Sequence, residues 1–103
     1  MNINNDESYK KNINVKINEE EADSYIKNNE YKKAEILLLK NVKEKTSSEN
    51  TYHLLIKIYR ARADYNNLIK IVNLAIKYSD KKKFKDLKKF IVLNKMLKDI
   101  FNI

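Results

Sequence analysis

The sequence predicts an all-α protein made of helix pairs in tandem, followed by one long C-terminal helix. Three observations predict it. The 103 residues include no glycine and no proline, so strand hairpins lack their usual turn residues and helices joined by short polar loops remain. Apolar residues recur at spacings of three and four, the period of a helix with one buried face. The text also repeats at 34 residues. Tyr25 returns as Tyr59, Tyr31 returns as Tyr65, and Glu30-Tyr31-Lys32-Lys33-Ala34 is echoed by Asp64-Tyr65-Asn66-Asn67-Leu68. A fixed period of about 20–50 residues marks stacked repeats, in which each unit leans on a neighbour to bury its apolar face.

Residues 1–14 (MNINNDESYKKNIN) are polar and predict a flexible, Asn-rich arm. Ile13, Val15 and Ile17 alternate with polar residues, so the arm is expected to run extended into the first helix. That helix is expected from about Asn18 to Asn28. Glu19, Glu20 and Glu21 suit its N-terminal dipole, and Ala22, Tyr25 and Ile26 form its stripe. A second helix is expected over Tyr31 to about Lys45, with Ala34, Leu37, Leu38 and Val42 apolar. Thr46-Ser47-Ser48-Glu49-Asn50 reads as a linker. The third helix starts near Asn50 or Thr51 and reaches about Arg62, with Tyr52, Leu55, Ile56 and Tyr59 as its stripe. The fourth spans about Tyr65 to Tyr78, with Leu68, Ile69, Val72, Ala75 and Ile76 apolar. Asp80 is placed to cap a fifth helix over about Lys82 to Phe101. The domain is therefore 15–103, divided as repeat 15–48, repeat 49–82 and the C-terminal helix 82–101.

Net charge is +8, from 22 Lys and Arg against 14 Asp and Glu, and it is polarised. Residues 15–30 hold two Lys and five acids, or −3, whereas residues 80–103 hold eight Lys and three Asp, or +5. The basic end favours an acidic or polyanionic partner. Cysteine is absent, which excludes disulfides and thiol chemistry. His53 is the only histidine; Ile56 and Lys57 stand where a second metal ligand on its face is needed. No set of acid, histidine and nucleophile can be assembled, so neither an enzyme nor a cofactor is expected. The N-terminus lacks a signal pattern and no apolar run approaches about 18 residues. An intracellular, cytoplasmic protein without a membrane partner is the expectation.

The two helix pairs resemble tetratricopeptide repeats over about two thirds of the chain. In the second copy Tyr52, Leu55, Ile56 and Tyr59 take the first-helix positions, and Asp64, Tyr65, Leu68, Val72 and Ala75 the second-helix ones. In the first copy Ala22, Tyr25, Tyr31, Ala34 and Leu38 fit, while Asn18 and Glu21 replace large apolar residues and Asn41 replaces a small one. Asn29 and Ala63 stand where the family's turn glycine falls, and its helix-breaking proline is missing. The resemblance implies two antiparallel helix pairs stacked as a short right-handed solenoid, whose concave face binds peptides or proteins. Groove positions then map to Glu19, Asp23, Ile26 and Lys27 in the first copy and to Asn50, His53, Lys57, Arg60 and Ala61 in the second. One subfamily clamps C-terminal carboxylates with Lys and Asn in its first repeat. Glu19 and Asp23 occupy those places here and would repel such a ligand.

The last helix carries a different signal. Phe84, Leu87 and Ile91 lie on one side, while Leu93, Met96 and Ile100 lie on nearly the opposite side, so one neighbour cannot bury both sets. The second set is expected to meet another chain, either a copy of this protein or a partner. The function expected is a non-enzymatic protein-protein interaction module, an adaptor or a small subunit of a larger assembly. The alternative is a nucleic-acid-binding regulator using the Lys-rich 81–98 segment, although its aromatic interleaving is thin.

Overall fold

The computed structural model describes residues 3–101, with side chains described from Tyr9 to Phe101. Those residues form five helices: α1 (Ile3–Lys27), α2 (Tyr31–Lys43), α3 (Glu49–Ala61), α4 (Tyr65–Tyr78) and α5 (Lys81–Phe101). No strand occurs among them. α2 packs on α1, α3 packs on both α1 and α2, α4 packs on α3, and α5 packs on α4. The molecule is elongated, 60 × 31 × 16 Å. Its radius of gyration is 15.3 Å, against about 13 Å for a compact domain of this length.

α3 is the centre of the core. Seven of its thirteen residues are buried, because it is covered by a neighbour on more than one side. The expected stripe of Tyr52, Leu55, Ile56 and Tyr59 is buried throughout, and Ala22, Ile26, Ala34, Leu38, Leu68, Val72 and Ala75 join it from the flanking helices. Tyr52 lies edge-on to Phe84 of α5, with ring centroids 6.0 Å apart, which ties the last helix to the centre.

The turns within the two pairs repeat with the sequence. Asn29 and Ala63, 34 residues apart, hold positive φ angles of 61° and 54°. Glu30 N–H donates to Tyr25 O and Asp64 N–H donates to Tyr59 O, both at 2.8 Å. Asn29 N–H donates to Ile26 O and Ala63 N–H donates to Arg60 O, both at 3.0 Å. These paired bonds satisfy the last carbonyls of α1 and α3 in the manner of a Schellman motif. Asn tolerates this left-handed conformation; Ala holds it at a cost of about 1–2 kcal/mol. Asp64 caps α4 by accepting from Asn67 N–H at 3.1 Å, and Asp80 caps α5 by accepting from Lys83 N–H at 3.1 Å, as its position suggested.

The N-terminal expectation needs correction. α1 begins at Ile3, so residues 3–14 are helical and do not form an extended arm. Met1 and Asn2 lie outside the described residues. No glycine or proline interrupts the segment, and the backbone hydrogen bonds continue through it. The alternation of Ile13, Val15 and Ile17 misleads because Ile13 and Ile17 are also four apart. They share the exposed side of α1, while Val15 is half-buried.

Candidate functional site

Two polar clusters lie inside the bundle. The first joins α1, α2 and α3. Asn41 is buried, its Nδ2 donating to Thr51 Oγ1 and to Val15 O, each at 3.1 Å, and its Oδ1 accepting from Asn18 Nδ2 at 2.9 Å. Thr51 Oγ1 in turn donates to Glu19 Oε2 at 2.6 Å, and Ser48 Oγ donates to the same oxygen at 2.5 Å. Asn18 and Asn41 thus sit in one hydrogen-bonded network that joins α1, α2 and α3.

The second cluster joins α2 to the end of α3. Glu35 is 8% exposed. Its Oε2 accepts from the Tyr59 hydroxyl at 2.8 Å and its Oε1 accepts from Arg62 Nη1 at 2.9 Å. Burial pushes the Glu35 carboxyl up, but the bonds from Arg62 and Tyr59 outweigh it and hold its pKa below the ordinary value. Burial, together with the bond to Glu35, pushes the Tyr59 hydroxyl well above the usual tyrosine range. Burial and the nearby Tyr78 push Tyr52 up to about 12. Neither cluster shows in residue spacing, because its members are drawn from separate helices; its only mark in the sequence is a polar residue beside each apolar stripe, Glu35 next to Ala34 and Thr51 next to Tyr52.

The expected groove residues do not all stand together. Glu19 is 7% exposed and its carboxylate is taken up by Ser48 and Thr51, so it cements α1 to α3. Asp23 pairs with Lys27 at 3.0 Å on the surface of α1. Glu19 and Asp23 border a shallow depression of about 340 Å³ with Lys16, Glu20, Asn50 and Leu54. Arg60 borders a separate cleft of about 530 Å³, formed where the α3–α4 turn meets α5 and lined also by Asp64, Tyr65, Phe90, Lys95 and Lys98. His53 and Lys57 are exposed and border neither; the His53 ring lies 5.1 Å from that of Phe84. Of the expected groove residues, Glu19 and Asp23 thus border one hollow, Arg60 borders another, and Ile26 is buried in the core. Arg62, close to Lys57 and Arg60 in sequence, is paired with Glu35.

α5 divides as its pattern suggested. Phe84 and Ile91 are buried and Leu87 is half-buried against the core. Phe90, Leu93, Met96, Leu97, Ile100 and Phe101 are 42–69% exposed. At about 100° per residue those six cover an arc of roughly 140° on the side away from Phe84. The charged residues of the same stretch lie elsewhere on the helix. Lys95 pairs with Asp99 at 2.9 Å and sits 5.7 Å from the centre of the Tyr65 ring, while Lys98 lines the cleft. The outward arc from Phe90 to Phe101 therefore carries no charge. A helix end that faces water usually has the opposite arrangement.

Among the described residues no group of three or more His, Cys, Asp or Glu is placed to hold a metal ion. Among the described residues no helix is long and apolar enough to cross a membrane. Comparison with protein-family models, with curated proteins and with solved structures finds no match to this chain.

Proposed function

We propose that this chain is a non-enzymatic protein-protein interaction module, an intracellular adaptor or a small subunit of a larger assembly. In this reading α1–α2 and α3–α4 are two antiparallel, tetratricopeptide-like hairpins stacked as a short right-handed solenoid, and α5 closes the stack on one side. The turn geometry that recurs at 34 residues, with Asn29 and Ala63 in the same conformation, supports the repeat. The single observation that carries the function is the uncharged outer arc of α5. Exposed apolar area on that scale marks a surface that another chain covers. The basic segment is a poorer candidate for nucleic acid. Phe84 is buried and offers no stacking platform, and Lys83 and Lys95 already pair with Glu49 and Asp99.

The test compares the immobilised wild-type chain with a Met96→Lys, Ile100→Lys variant, at low and high salt. The expected result is a partner retained by the wild type at both salt concentrations and lost by the variant. Both altered side chains are exposed, so the variant is expected to keep its circular dichroism spectrum. Retention that is equal in both proteins, or that collapses with salt as polyanion binding does, overturns the reading.

A further inference from the structure

We propose that the outer arc of α5 is the seam of a homodimer in which α5 of one copy packs antiparallel on α5 of a second. This rests on the reading of that arc as an interaction surface, and it names the occupant.

Three observations select a second copy. The first is spacing. Phe90, Leu93, Leu97 and Ile100 are separated by three, four and three residues, the a and d positions of a coiled-coil seam, with Met96 and Phe101 flanking them. Continued toward the N-terminus, the same positions fall on Asp86 and Lys83, so the seam ends at Phe90. The best complement to a short uncharged seam is another of the same spacing, and this chain supplies one. The other exposed apolar residues are unsuited: Lys16 and Glu20 fall on the same side of α1 as Tyr9, Ile13 and Ile17, and Lys32 and Lys43 fall on the same side of α2 as Ile36 and Leu39.

The second observation is area. At about 200 Å² for a large side chain, six residues exposed by 42–69% offer roughly 650 Å². Two copies that cover this surface completely bury at most roughly 1,300 Å², at the lower end of the about 1,200–2,000 Å² of a specific interface.

The third observation is charge, which also sets the direction. Lys81, Lys82, Lys85, Lys88 and Lys89 crowd the first half of α5. A parallel pair places those two lysine-rich halves side by side, whereas an antiparallel pair keeps them at opposite ends. Phe90 then meets Ile100 of the second copy, and Leu93 meets its Leu97. Because each copy carries +8 and the seam carries none, added salt screens repulsion without weakening the contact. Association should tighten as salt rises.

Sedimentation equilibrium of the full chain tests the proposal. The expected result is twice the 12.3 kDa monomer mass at micromolar concentration, with a dissociation constant that falls with salt. Leu93→Lys with Leu97→Lys should yield a helical monomer. The chain has no cysteine, so single-cysteine variants report direction cleanly. Met96 lies beside the two-fold axis, so Met96→Cys should cross-link to itself on oxidation. Ile100 lies about 15 Å along the seam from its own counterpart, beyond the about 7 Å that a disulfide spans, so Ile100→Cys should not. A dimer that survives the double lysine variant overturns the proposal, as does efficient cross-linking of Ile100→Cys, which fits a parallel pair. A monomer at every concentration also overturns it. If that monomer still binds a different protein through Met96 and Ile100, the homodimer alone fails and the interaction-module reading stands.

Discussion

Removing the Glu35 carboxylate should destabilise the protein by about 3 kcal/mol. The figure follows from what that carboxylate does. It is 8% exposed and accepts from Tyr59 at 2.8 Å and from Arg62 at 2.9 Å. A hydrogen bond to a charged group contributes about 1.5–3 kcal/mol, and a buried donor left without an acceptor costs about 1–3 kcal/mol. In Glu35→Ala the Tyr59 hydroxyl is stranded inside the core. Arg62 is partly exposed and turns to water, so its loss is the smaller share. Lys32, 3.6 Å away and largely exposed, adds little. Glu35→Gln keeps an acceptor for Tyr59 and should cost only about 1 kcal/mol. Tyr59→Phe removes the same bond from the other side, and a double-mutant cycle should return a coupling of about 1–2 kcal/mol. Urea unfolding followed by circular dichroism measures all three. The folded-state pKa of Glu35 lies below its unfolded value, so its contribution is fully present above about pH 4.3 and is lost as pH falls through the lower folded value. Glu35→Gln should remove that part of the acid sensitivity. A loss below about 0.5 kcal/mol in Glu35→Ala, or no coupling in the cycle, would refute the reasoning.

Three further substitutions probe other parts of the fold. Leu55→Ala, at a fully buried position in α3, should cost about 2–5 kcal/mol by chemical denaturation; a surface-like value near zero would remove α3 from the centre of the core. Thr51→Val keeps the shape but takes a donor from Glu19 and an acceptor from Asn41, and should cost about 1–3 kcal/mol. If the melting temperature of that variant holds, the polar cluster does not join the helices. Ala63→Gly should raise stability by about 0.5–1 kcal/mol, since relief of the left-handed conformation exceeds the entropy gained by the unfolded chain. A melting temperature lowered by the same change would show that the strain at Ala63 is smaller than that entropy cost.

The sequence by itself determined the local geometry of four helices. Tyr31 and Tyr65 open α2 and α4 as expected, and the buried stripe of α3 was legible residue by residue, because a 3.6-residue period is a property of neighbouring residues. The two-sided character of α5 was legible for the same reason: Phe84, Leu87 and Ile91 turn inward and Leu93, Met96 and Ile100 turn outward. The first half of α1 was not legible. Tyr9, Ile13 and Ile17 are exposed and share their side with Lys16 and Glu20, so they leave only a weak periodic mark, and Ile13, Val15 and Ile17 fit either period. Of the residues expected to line a groove, Lys57 and Arg60 are exposed but Glu19 is buried, because Ser48 and Thr51, 29 and 32 residues further along the chain, come within hydrogen-bonding distance of its carboxylate. Glu35 became a core residue through Tyr59 and Arg62 in the same way, 24 and 27 residues away. Burying a carboxylate costs free energy that only such partners offset, and tertiary packing alone decides which distant donors arrive.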